Sequence, residues 1–233
     1  MKELIVLFED ENIIVCQKPV GVHSEEKDGS VDMVKLIREH KTKNKEDSYV
    51  GVVHRLDVAT GGVILYAKNK KTAAKYSAIV GDKDKFIKEY YAVIHGEIQE
   101  NKGTMEDFLF KDSRKNKSYV VKKMRNGVKK ASLEYELADT VCYNGKSISL
   151  VKIKLHTGRT HQIRVQFSSR GFPLLGDGKY GSKDNRCETA LWAYKLTTEV
   201  SSSKNSKEVK EFVSYPDLSG YPWNLFEEYL KGN

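Results

Sequence analysis

VHRLDVATGGVILYAK, residues 53 to 68, passes from a polar loop into an unbroken apolar run. Gly62 to Ala67 reads as a buried strand, because the run is short, apolar and preceded by glycine. The loop before it, His54-Arg55-Leu56-Asp57-Val58-Ala59-Thr60-Gly61-Gly62, sets a carboxylate beside an arginine and a histidine. Its glycines let the backbone turn sharply and come close to a ligand, and a loop on a rigid scaffold is where sites concentrate. A second loop of the same character, His156-Thr157-Gly158-Arg159-Thr160-His161-Gln162-Ile163-Arg164, offers two more arginines and two more histidines.

Outward from these loops the chain alternates short strands with a few helices. Leu4 to Phe8 and Ile13 to Cys16 read as strands around a polar turn, with a second break at Lys18-Pro19-Val20-Gly21. Val31 to His40 has helical spacing of Met33, Val34, Leu36 and Ile37. Lys71 to Val80 reads as a helix with Ala74, Ala78 and Ile79 on one side and Gly81 past its end, and Tyr90 to His95 as a strand. Leu133, Tyr135 and Leu137 alternate with polar residues, as in a half-buried antiparallel strand. Its expected partner is Lys146 to Leu155, where the apolar phase slips at Val151 and suggests a bulge. His161 to Arg170 reads as a helix closed by Gly171, and Trp223 to Leu230 as an amphipathic terminal helix. The longest low-complexity tract is Ser201 to Ser206. The expected fold class is α+β, a mixed and mostly antiparallel sheet with flanking helices.

At 233 residues and 39% hydrophobic content, the chain suits one compact domain over residues 1–233. The apolar stretch within Met1 to Phe8 is too short for a signal-peptide core, and no later run approaches eighteen apolar residues, so no membrane partner is expected. Cys16, Cys142 and Cys187 are far apart, odd in number and without a CxxC pair, which points to a reducing, cytoplasmic setting. The net charge is +8, and Lys111 to Lys130, with nine basic residues and one acidic one, holds a surplus equal to that of the whole chain. A polyanion is a ready partner for such a segment, since neutralising phosphates releases counterions. A solvated lysine-rich loop explains the charge equally well.

Read alone, Asp57 has a structural alternative as the ion partner of Arg55 or Arg164. A metal site built from His54, Asp57, His156 and His161 is disfavoured. His156 and His161 are five apart across a glycine rather than four apart on a helix, and no second carboxylate adjoins Asp57. No GK[ST] follows either glycine cluster, so a phosphate-cradling P-loop is not indicated.

The chain resembles the RluA-type pseudouridine synthases through four motifs in order. Residues 9–22, EDENIIVCQKPVGV, look like the first motif. Residues 53–68 are similar to the catalytic motif, which usually reads HRLDxxTSG. Residues 88–96, KEYYAVIHG, look like the KxYxAxVxG strand, and LHTGRTHQIRVQF with GFPLLGDGKYG, within 155–181, like the third motif. Gly61 replaces the usual serine, Gln166 and Phe172 the usual histidines, and Trp192 stands where LHA is expected.

The resemblance implies that uracil is cut from its ribose at N1, turned while held, and rejoined through C5, with no cofactor and no metal. It assigns Asp57 as the catalytic carboxylate, Tyr90 as the aromatic that stacks on the base, and Arg164 as the arginine that pairs with Asp57. Arg55 resembles the side chain that fills the space left by an extruded base. His54, Thr60, Leu155, Thr157, Arg159 and His161 complete the expected substrate-binding set. The implied partner is structured RNA, a ribosomal or transfer RNA stem-loop rather than DNA, bound by a monomer. No separate S4-type RNA-binding domain is expected, because the first motif begins at residue 9. The rival from another class is a non-catalytic RNA-binding protein on the same fold.

Overall fold

The computed structural model describes residues 3–201 and 207–232, so most of the Ser201 to Ser206 tract lies outside the described residues. The chain falls into two compact units, Met1–Lys88 with Ala193–Ser214, and Glu89–Trp192 with Tyr215–Asn233. The fold class is α+β, with a mostly antiparallel sheet and helices. Among the described residues no helix is long and apolar enough to cross a membrane.

In the first unit, β1 (Ile5–Glu9), β2 (Ile13–Lys18), β4 (Gly61–Ala67) and β10 (Leu191–Ser201) lie in that order. The short β3 (Gly51–Val52) also pairs with β4, and β11 (Lys207–Val213) pairs with β10. β4 is buried at all seven positions, which is why its sequence is continuously apolar rather than alternating. Val63, Leu65 and Ala67 enter a core with Ile13, Val15, Tyr76, Phe86, Leu196 and Phe212. Tyr66, also fully buried, donates its hydroxyl to the Ser24 carbonyl at 2.7 Å.

Two helices in this unit start at side-chain caps. In α1 (Met33–Lys43), Asp32 accepts from Lys35 N–H, and in α2 (Lys70–Ile79), Asn69 accepts from Thr72 N–H. The buried face of α2 differs from the expected one: Thr72 and Tyr76 are buried while Ala74 and Ala78 are exposed. The Tyr76 ring buries far more apolar surface than two alanine methyls, so it decides which side turns inward.

In the second unit, β5 (Phe86–His95), β9 (Lys146–Leu155), β8 (Val128–Tyr143), β6 (Lys102–Asp112) and β7 (Lys117–Val121) follow in that order. The register slip expected at Val151 is present, but the extra residue is on β8: Leu137 faces Val151 and Asp139 faces Leu150, leaving Ala138 over. A period slip in one strand does not say which partner carries the insertion. α3 (Gln162–Ser169) matches its expected span, and its Val165 packs with Leu109, Ala131 and Tyr180. The terminal helix opens with a 3-10 turn, Trp223–Phe226, before α4 (Glu227–Gly232).

Gly62 is the backbone position the first unit tolerates least. Its φ is +117°, and a Cβ there would stand 2.1 Å from the Ala193 carbonyl oxygen. Gly62→Ala is expected to cost at least about 3 kcal/mol, from backbone strain together with overpacking, read as a lower urea midpoint. An unchanged midpoint would mean that β10 yields to the added methyl.

Candidate functional site

The loop from β3 to β4 carries Asp57, and its backbone is anchored on both sides of that residue. Leu56 is buried; its N–H donates to Ser24 Oγ at 3.0 Å, and its carbonyl accepts from the same hydroxyl at 2.9 Å. The Val58 carbonyl accepts from Gly21 N–H at 2.8 Å and from the Lys18 ammonium at 3.4 Å. Lys18 is wholly buried and also donates to the carbonyls of Pro19 and Val22, at 3.0 and 2.8 Å. The three donors of an ammonium suit such a set of carbonyls. Asp57 itself is half-buried, and its carbonyl closes a turn by accepting from Thr60 N–H at 2.9 Å. A side chain between two tied peptide groups keeps a defined direction at little further entropic cost.

The other expected residues of this loop divide by role. His54 Nε2 accepts from Leu65 N–H at 3.1 Å, while Nδ1 is buried without a hydrogen-bond partner. Burial, reinforced by the nearby Lys88 charge, holds the ring's pKa down at about 3, so it is neutral and fastens the loop to β4. Thr60 is buried. Arg55 is exposed and pairs with exposed Glu25 at 2.8 Å, an arrangement that contributes little and is easily exchanged for another anion.

In the second unit Gln162 organises the loop between β9 and α3. Its Oε1 accepts from Thr157 Oγ1 at 2.7 Å and from Arg159 N–H at 3.1 Å, and its Nε2 donates to the Ser132 carbonyl at 3.1 Å. Thr157 Oγ1 also accepts from Ser132 N–H at 3.0 Å, and Arg159 Nε donates to the Lys130 carbonyl at 2.9 Å. Leu155 is buried where β9 ends. His156 Nε2 lies 3.2 Å from Glu134 but off the line of a hydrogen bond, so the contact is an ion-pair approach only. His161 caps α3 with a left-handed backbone, φ 53°, an unusual conformation for a residue with a side chain.

Arg164 and Asp177 form a buried bidentate pair, Nε to Oδ2 at 2.6 Å and Nη2 to Oδ1 at 2.8 Å. Fork-to-fork pairing of this kind fixes the guanidinium plane as well as its charge. Tyr90 lies on β5 within a buried run, as a core residue would. Asp57, His54, Arg55 and Thr60 therefore belong to the first unit, and Tyr90, Leu155, Thr157, Arg159, His161 and Arg164 to the second.

Gln162, Asp177 and Tyr180 were not singled out from the sequence as site residues. Gly176 gave a signal: its φ is +74° and a Cβ would meet the Glu188 carbonyl at 2.2 Å, so the GDG turn that presents Asp177 is built on glycine. The basic stretch from Lys111 to Lys130 is a hairpin around β7 rather than an unstructured loop. Eight of its nine basic residues are exposed, Lys117 being half-buried, and none has a carboxylate within 4.0 Å among the described residues. Among the described residues no three His, Cys, Asp or Glu side chains gather as metal ligands. An acidic depression lined by Glu9, Asp10, Glu11, Glu46 and Lys68 includes no residue of either loop, and Lys68 pairs with Glu9 and Glu46 there.

A family model described as RNA pseudouridylate synthase matches residues 12–169. The chain is 34% identical, over 90% of its length, to ribosomal large subunit pseudouridine synthase D of Borreliella burgdorferi. It is 34% identical, over 77% of its length, to an uncharacterized RNA pseudouridine synthase of Bacillus subtilis. It covers 65% and 58% of these two, and so spans less than two thirds of the curated relatives' length. Among solved structures, human RNA pseudouridylate synthase domain containing 1 matches with a TM-score of 0.72 and 25% identity, over 93% of this chain and 84% of that one. Human RNA pseudouridylate synthase domain containing 4 matches in fold with a TM-score of 0.75 at 18% identity, over 97% and 93%.

The neutral, buried state of His54 has a pH signature. The unfolded ring takes up a proton below its ordinary value of 6.5, whereas the folded ring does so only near 3. The unfolded state therefore binds more protons in that window, and stability falls as pH drops through it. Relative to His54→Gln, the wild type is expected to lose up to about 1.4 kcal/mol more per pH unit below 6.5. Parallel pH profiles of the two urea midpoints would contradict the assignment.

Proposed function

The chain belongs to the RNA pseudouridylate synthase family, and from that membership we propose that it isomerises uridine to pseudouridine within RNA, with Asp57 as the reacting carboxylate. The N1–C1′ bond breaks, a C5–C1′ bond forms, the C5 hydrogen leaves as a proton and N1 gains one. Nothing is oxidised or hydrolysed, and the balance calls for no group donor. The observation that carries the reading is the bracketing of Asp57: the peptide on each side of it is tied down, while its carboxylate stands half-buried on a loop. Directional anchoring of this kind is what nucleophilic or general-base work by a carboxylate requires.

Arg164 is assigned as the arginine that acts with that carboxylate, its guanidinium held in plane by the two bonds to Asp177. Tyr90 is assigned to stack on the uracil while it is detached and turned. Extruding a stacked base costs on the order of a few kcal/mol. Arg55, held by an exposed ion pair, suits the task of filling the vacated space because its plane stacks on bases and bonds phosphate. His54 and Thr60 support the loop, and Leu155, Thr157, Arg159 and His161 are assigned to substrate binding by the second unit.

Ribosomal RNA is the proposed substrate class, in keeping with the names of several relatives. A transfer RNA stem-loop is the second choice. The basic groups of the Lys111–Lys130 hairpin, eight of nine exposed and without a carboxylate partner among the described residues, suit phosphate contacts that position the RNA without reading its sequence. Residues 1–233 act as one catalytic domain in this reading, as a monomer in the cytoplasm.

The test is tritium release from ribosomal and transfer RNA transcribed with 5-tritiated uridine, in EDTA, by the wild type and Asp57→Asn. Release by the wild type and none by the variant, with RNA affinity within about tenfold because phosphate contacts dominate binding, is the expected outcome. Release by neither from either RNA would favour an RNA-binding protein that lacks the activity.

A further inference from the structure

Tyr180 joins two parts of the second unit that the proposed reaction uses separately. Towards α3, its hydroxyl meets His161 Nδ1 at 3.0 Å, its ring lies under the Arg164 guanidinium at 5.1 Å, and its carbonyl accepts from Ser168 Oγ at 2.6 Å. Residues 161, 164 and 168 recur at helical spacing, so one face of α3 is wrapped around a single residue. Towards the basic hairpin, the same hydroxyl accepts from Ser118 N–H at 2.8 Å, and the Lys117 ammonium lies 5.1 Å from the ring centre. Two further bonds close the junction: Lys117 Nζ to the Lys179 carbonyl at 2.6 Å, and Ser118 Oγ to the Thr160 carbonyl at 2.6 Å.

We infer that Tyr180 is a positioning residue that ties the phosphate-facing hairpin at β7 to the orientation of Arg164 on α3. The inference rests on the assignment of Arg164 to the reacting carboxylate. Asp177 fixes the edge of the guanidinium through two hydrogen bonds, and the Tyr180 ring fixes its face. Edge and face together leave the plane no free rotation. The ring can serve as that platform only while its own hydroxyl is held, and the holders are Ser118 on β7 and His161 at the start of α3. An RNA phosphate that draws on Lys117 therefore pulls on the strand and ring that set the arginine. Tyr180 is buried, so this action is indirect, without contact with the RNA.

Tyr180→Phe removes the hydroxyl's bonds to Ser118 and His161 and keeps the ring. In single-turnover tritium release it is expected to lower the rate constant roughly tenfold, the scale of a small misplacement of a reacting group, while RNA affinity stays within twofold. In an Arg164→Lys background the same substitution should have almost no further effect, because the two changes act through one group. A readout independent of activity is the side-chain Nε–H of Arg164, bonded to Asp177, whose hydrogen exchange by NMR should be about tenfold faster in the variant as its platform loosens. Should Tyr180→Phe fail to fold, Ser168→Ala, which removes the bond to the Tyr180 carbonyl, should show the same pattern more weakly. Unchanged Arg164 exchange, equal losses of rate and affinity, or losses that multiply with those of Arg164→Lys would each overturn the inference. Absence of tritium release by the wild type would instead defeat the proposed reaction, and the exchange measurement would still decide the role of Tyr180.

Discussion

The Asp57 loop of the first unit is anchored on a buried ammonium. Lys18 donates to the carbonyls of Pro19, Val22 and Val58 from a position with no exposed surface. A charge removed from water is tolerated only where polar groups replace its hydration, so those carbonyls cannot drift without leaving the ammonium poorly solvated. That condition holds the turn after β2 against the loop before β4. Ser24 repeats the constraint one step further on, through its reciprocal bonds with Leu56 and the Tyr66 bond to its carbonyl. Asp57 inherits its direction from these contacts, which lie on the two residues beside it.

The second unit solves a similar problem with side-chain forks instead of an ammonium. Gln162 uses both ends of its amide to hold Thr157, Arg159 and Ser132, and Asp177 uses both oxygens on Arg164. Planar two-point contacts set orientation as well as distance. In each unit, then, the residues to which chemistry is assigned are held by neighbours outside that assignment, and the exposed Arg55 has a weak, replaceable partner.

Much of this was legible in the sequence where local signals act alone. Apolar runs and glycine punctuation gave β4, α3 and the two loops, and the ordered motifs gave the family. Tertiary competition explains the misses. Tyr76 outweighed Ala74 and Ala78 on α2, and the bulge expected on β9 sits on β8, because a slip in phase is shared by two strands. The Lys111–Lys130 hairpin was hidden by its charge, since an edge strand facing water needs little apolar patterning. Gln162, Asp177 and Tyr180 each make a contact with a residue distant in sequence, Ser132, Arg164 and Ser118 respectively, which periodicity does not reveal. The support roles of Lys18 and Ser24 are equally invisible without the fold.

The central claim is that the Asp57 loop is already in its working arrangement before RNA arrives. Amide hydrogen exchange over residues 54–62, in the free chain and with RNA bound, tests it most directly. The Leu56 and Thr60 amides, bonded to Ser24 Oγ and the Asp57 carbonyl, should be protected in the free chain and change by no more than about threefold on binding. Free exchange at these amides until RNA is added would mean that the substrate, and not the buried ammonium and serine beneath the loop, orders the site.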